Sequence, residues 1–174
     1  MDLSYQDLVQ MIHVQKCVCP DALLNNALVL NLDYPVQKEV KLTSLSGDIE
    51  FRWVICQSSK ISIKISLHLM DKENNLGLLR LDYCSPSKLH TNPQEATDLV
   101  PKDIAKFAGL EIWGSHVHFP VPGDKELAWA IPLVELTGFP ESFDGNQSHL
   151  PSIINCFAQF INVSTSIVFE SPVL

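Results

Sequence analysis

The sequence is without the short signatures that mark most enzyme classes. It has no Gly-rich phosphate loop, no G-x-S-x-G turn, no H-E-x-x-H and no Cys-plus-His nucleophile motif. P-loop nucleotide hydrolysis, serine-hydrolase chemistry and zincin-type proteolysis therefore have no local support. No apolar run approaches the length of a membrane span. The start, Met1-Asp2-Leu3-Ser4-Tyr5, has neither the basic residues nor the apolar stretch of a secretory leader. Five cysteines, an odd number, argue against a disulfide framework and for reduced thiols in a cytoplasm. Cys17-Val18-Cys19 is a C-x-C, and no second pair completes a zinc site around it. Basic residues are also in short supply: 12 Lys and Arg stand against 20 Asp and Glu, a net charge of −8. That balance repels nucleic acid at long range and favours a basic protein partner, although it leaves room for a local basic groove. No repeat, low-complexity tract or linker interrupts the chain.

What is present is patterned apolar sequence. At 174 residues and 46% hydrophobic content, the chain suits a single domain over 1–174 with a core of its own. Helical spacing of Leu3, Leu8, Met11 and Ile12 predicts an N-terminal helix over 3–18, with Ser4 and Asp7 forming a capping box. Residues 27–133 read as the sheet. Ile49–Ile55 alternates, with Phe51, Trp53 and Ile55 facing inward, and Ile61–Leu69 alternates without a miss. A polar loop at Asp71–Asn75 then returns the chain along Leu76–Tyr83 as a hairpin. Ser115–Phe119 and Leu127–Leu133 add strands, the latter at an edge because of Pro132. Ile153, Ile154, Phe157, Phe160 and Ile161 give a helical stripe over 150–162. The expected fold is α+β: an antiparallel sheet with a short N-terminal and a C-terminal helix on one face.

Parity assigns the chemistry-bearing residues to the other face. With the hairpin loop centred near Glu73, Ser62, Lys64, Ser66 and His68 point outward, Ser66 lies opposite Arg80 and Lys64 opposite Asp82. His116 and His118, two apart, share a face of their strand, and His90 sits in the loop after the return strand Leu76–Tyr83. Imidazoles serve as general acid and base near neutral pH, and Arg clamps phosphate or carboxylate. An H-x-H pair on a strand also suits a metal, with Asp82 or His90 as third ligand, but no fixed spacing specifies that ligand. The plain alternative is an ordinary solvated sheet face with a Lys64–Asp82 surface pair.

The ordered series Gln57-Ser58-Ser59-Lys60-Ile61-Ser62, Gly77-Leu78-Leu79-Arg80-Leu81-Asp82, His90-Thr91-Asn92-Pro93, His116-Val117-His118-Phe119 and Leu127-Ala128-Trp129-Ala130-Ile131-Pro132-Leu133 resembles an uncharacterised domain family of bacteria, phages and other mobile elements, from about Trp53 onward. The resemblance implies a bacterial cytoplasmic setting and carries no activity with it. The layout L-R-x-D, His, H-x-H is also similar to that of small toxins of toxin–antitoxin pairs that act on RNA. The expectation is a small acidic interaction protein of phage–host conflict that inhibits or neutralises a protein partner, without cofactor or metal. The alternative is a metal-independent endoribonuclease. In it His116 or His118 is the base, His90 the acid, Arg80 the phosphate clamp, and Asp82 orients an imidazole.

Overall fold

Strict alternation builds most of one large sheet. The computed structural model describes residues 3–170 and places in chain order α1 (Tyr5–His13), β1 (Lys16–Val18), β2 (Leu28–Asn31), β3 (Gln37–Ser44), β4 (Glu50–Gln57), β5 (Ile65–Asp71), β6 (Leu76–Tyr83), β7 (Leu89–Thr91), α2 (Lys102–Ala105), β8 (Glu111–Trp113), β9 (His116–Phe119), β10 (Trp129–Pro132), α3 (Leu150–Phe160) and β11 (Ile167–Glu170). Seven strands form an antiparallel sheet in the order β1-β3-β4-β5-β6-β9-β10. Two small ribbons flank it: β2 pairs in parallel with β11, and β7 pairs antiparallel with β8. The fold is thus α+β, as expected. No helix among the described residues is long and apolar enough to cross a membrane.

The inward residues of β4, β5 and β6 (Phe51, Trp53, Ile55, Leu67, Leu69, Leu79, Leu81) are all buried. They share one cluster with Leu8 and Ile12 of α1 and with Ile153, Ile154 and Phe157 of α3, so both helices cover the apolar face. The Phe157 ring stacks on Trp53 with centroids 6.0 Å apart. Burial of a large side chain of this kind contributes about 2–3 kcal/mol, which is why a stripe of apolar residues suffices to dock α3.

Three expectations are corrected. The N-terminal helix carries the expected Ser4–Asp7 capping box but ends at His13, not at residue 18. Val14 turns extended, and Lys16–Val18 joins the sheet beside β3. Fully buried Lys16 accounts for the sharp exit: its Nζ donates to the carbonyls of Ile12, Val14 and Ile161 at 2.7, 2.8 and 3.0 Å, capping the C-terminal ends of both α1 and α3. Second, Ile61–Lys64 is a turn rather than strand, and Ile61 is exposed. Ser58 Oγ accepts from the amides of Lys60 and Ile61, and the Lys64 amide bonds Ile61 O, so a serine turn overrides the alternating pattern. Third, the hairpin register differs from that expected. Ser66 lies opposite Asp82 and His68 opposite Arg80. A bulge at Leu69/Met70 leaves Leu78 without a partner in β5, and Leu78 is fully buried.

Candidate functional site

The polar face of the sheet holds a cleft of about 720 Å³, within the usual size range of small-molecule sites. Arg80, Asp82, His90, His116 and His118, the five residues singled out in the sequence, all line it. Strand pairing delivers four of them: β9 lies beside β6 with His118 opposite Arg80 and His116 opposite Asp82. The fifth, His90, arrives from outside the main sheet on the β7–β8 ribbon.

The rings form a tight group. His118 lies edge-on to both His90 and His116, each at 4.7 Å between centroids, and His90 stacks on His116 at 5.5 Å. One ring nitrogen from each lies within 4.8 Å of one from the others. The remaining nitrogens are engaged by oxygen acceptors. His116 Nδ1 donates to Gly114 O at 2.7 Å, His118 Nδ1 to Leu127 O at 2.8 Å, and His90 Nε2 lies 3.0 Å from Ala128 O and 3.1 Å from Asn92 Oδ1. Carbonyl oxygens only accept, so each of these nitrogens carries the proton. The lone pairs fall on His116 Nε2, His118 Nε2 and His90 Nδ1. Two of the carbonyls come from left-handed backbone: Gly114 has φ 77°, and Leu127, a bulky residue rarely found there, has φ 51°.

Asp82 and Arg80 complete the group. Asp82 Oδ1 accepts from Ser66 Oγ at 2.6 Å, and Oδ2 accepts from Arg80 Nε at 2.9 Å. Asp82 Oδ2 is also 3.3 Å from His118 Nε2 and 3.7 Å from His116 Nε2, while Arg80 Nη2 donates to His118 Nε2 at 2.7 Å. Burial pushes the Asp82 carboxyl upward, but His118, the Arg80 charge and the Ser66 hydroxyl outweigh it and hold it well below the usual carboxylate range. Burial pushes His116 down to about 4 and also lowers His90, so both are neutral at pH 7. His68 faces Arg80 across the strand pair, is pushed by burial and then by Arg80 down to about 4, and its buried Nε2 has no partner among the described residues. It does not line the cleft.

Sequence reasoning missed how His90 is held. Asn92, 2% exposed, pairs with the outer edge of β10 as a strand would: Ala130 N donates to its Oδ1 at 2.8 Å, and its Nδ2 donates to Ala130 O at 2.8 Å and Phe107 O at 3.0 Å. His90 Nε2 bonds Ala128 O, immediately before that strand. The H-x-N pattern therefore seals an open sheet edge and aims one imidazole into the cleft. The signal in the sequence was the His90–Asn92 spacing itself. Trp129 is fully buried, with Nε1 donating to Asp124 Oδ2 at 2.7 Å.

The sequence model of a family of unknown function, DUF6978, matches residues 3–163. No curated protein and no solved structure matches the chain.

Proposed function

The chain belongs to the DUF6978 family, which has no assigned function, and from its own side chains we propose that it is an enzyme, with His90, His116 and His118 holding a divalent first-row transition ion of the zinc type for hydrolytic chemistry. One observation carries this reading. Three imidazoles gather with their free nitrogens in one cleft, and each is fixed in tautomer and orientation by an acceptor on its far nitrogen. That second layer of acceptors is the usual support of histidine metal ligands. Arg80 meets the lone pair of His118 Nε2, while those of His116 Nε2 and His90 Nδ1 are left for an ion, which would displace Arg80 from His118. A set of three protein ligands leaves coordination positions open, as catalytic sites do and structural sites do not. An ion held there by His90, His116 and His118 would act as a Lewis acid and would acidify water. Asp82, fixed by Ser66 and Arg80 and kept ionised, would orient such a water through the carboxylate edge nearest His116 and His118.

A second reading has a specific observation behind it: Arg80 Nη2 already occupies the lone pair of His118 Nε2. It favours the metal-independent ribonuclease, with His116 and His90 as base and acid and Arg80 as clamp. The protein-neutralising role in phage–host conflict rests on the acidic balance, the small size and the resemblance, and we rank it after both catalytic readings. Metal analysis separates them. Purified protein exposed to Zn²⁺ and dialysed is expected to retain about one equivalent by mass spectrometry, and His116→Ala and His118→Ala to retain none. Wild-type protein without metal that still cleaves RNA in excess chelator would give the site to metal-free acid–base chemistry. Protein without metal or cleavage that captures a stoichiometric partner would restore the interaction role.

A further inference from the structure

The charges of the chain are strongly segregated. Among the residues lining the cleft are Lys60, Lys64, Lys88 and Arg80, four of the 12 basic residues, but only Asp82 of the 20 acidic ones. The cleft thus carries a formal surplus of three positive charges (four minus one) in a chain of net −8. Low-dielectric walls focus such a field. The three lysines are also unengaged. Lys41, Lys72 and Lys106 pair with Asp21, Glu50 and Glu135, whereas Lys60, Lys64 and Lys88 have no carboxylate within 4.0 Å among the described residues. Their placement is built: the Ser58 turn that breaks the alternating pattern sets Lys60 and Lys64 at the rim, and the Ser85–Lys88 turn, after the end of the neighbouring β6, sets Lys88 at the same end of the sheet. On the β7–β8 ribbon, Trp113 stands 56% exposed as the cross-strand partner of Leu89, which lines the cleft. An exposed indole beside a basic cleft is a platform for a planar ring.

We propose that the substrate of this cleft is a phosphate ester carrying a nucleobase, its phosphate drawn in by Lys60, Lys64 and Lys88 and presented to Arg80 and the histidines. A single carboxylate would leave most of the positive surplus uncompensated, whereas a phosphate monoester, at about −2, neutralises most of it. Arg80, with Nε on Asp82 and Nη2 on His118, keeps its remaining donors for that group. The inference rests on the cleft being the active site, but it holds whether the chemistry there uses a metal ion or not.

The test uses the full chain, wild type and Lys60→Ala/Lys64→Ala/Lys88→Ala; all three side chains are exposed, so folding is preserved. Calorimetry would compare a nucleoside monophosphate, the matching nucleoside, inorganic phosphate and a short single-stranded oligoribonucleotide. The phosphate-bearing probes are expected to bind and the nucleoside to fail. The triple variant should bind them at least about tenfold more weakly, the scale of losing charge-assisted hydrogen bonds. Tighter oligonucleotide binding with a steep salt dependence identifies an RNA strand as the source, and equal affinities a mononucleotide. Equal affinity of the triple variant and wild type, or no binding of any phosphate probe, overturns the proposal. Metal content measured on the same samples is independent of this outcome, so a failed metal reading and a failed phosphate reading are told apart.

Discussion

Replacement of Asn92 by Ala tests the link between edge sealing and site geometry. Asn92 is buried and makes three hydrogen bonds to backbone: from Ala130 N, and to Ala130 O and Phe107 O. A buried hydrogen bond contributes roughly 1 kcal/mol net, and stranding a partner away from water costs about 1–3 kcal/mol. Three stranded backbone groups therefore predict a loss of about 3–5 kcal/mol, softened where water reaches the opened edge. With a urea dependence of about 2 kcal/mol per molar, the unfolding midpoint should fall by roughly 1.5–2.5 M. The core tryptophans Trp53 and Trp129 provide the fluorescence signal, because both are fully buried. His90 loses its neighbour as well, and loss of an orienting partner typically weakens metal binding about 10–100-fold. A midpoint shift below about 0.5 M would refute the reasoning, because it would mean that β10 needs no partner at its edge.

Other consequences follow from the same geometry. Burial pushes Lys16 down to about 7, below its unfolded value, so the unfolded chain binds more protons above neutrality and stability rises with pH. Three carbonyls and the Phe51 ring hold the ammonium form, so the gain between pH 7 and 9 is expected to be at most about 3 kcal/mol. Denaturation at both pH values should show it, and Lys16→Met should abolish it; the same gain in the variant would place its origin elsewhere. A Cβ at Gly77 would meet Glu126 Oε1, Leu127 Cδ1 at 2.8 Å and His68 Nε2 at 2.9 Å. Gly77→Ala is therefore expected to cost about 1–3 kcal/mol and, by moving Leu127, to disturb the carbonyl that holds His118. Unchanged thermal stability together with unchanged His118 NMR shifts would contradict this.

The strands were legible wherever burial on one face imposed a period of two. β4 follows it throughout, β5 does from Ile65 onward, and β6 from Leu79. Alternation failed at Ile61–Lys64, where the Ser58 hydroxyl makes local hydrogen bonds that no periodicity reports. The hairpin register was missed for a related reason, since a bulge that leaves Leu78 unpaired is invisible to a parity count. For the site, parity alone placed His116 and His118 on one face, and β9 pairing with β6 brought them to Asp82 and Arg80. His90 was recognisable by its residue type but not by position, because its approach depends on a contact across 38 residues to Ala128 O. The lysines of the cleft were hidden for a different reason: net charge averages over a surface on which the two signs are separated.

The account turns on whether the three imidazoles share an ion. Crystals grown with Zn²⁺ and measured on both sides of the zinc absorption edge answer this directly. The predicted result is one anomalous peak bonded to His90 Nδ1, His116 Nε2 and His118 Nε2 at about 2.0–2.1 Å, with Arg80 drawn off His118. No anomalous peak among the three rings, with Arg80 still seated on His118 Nε2, would contradict it.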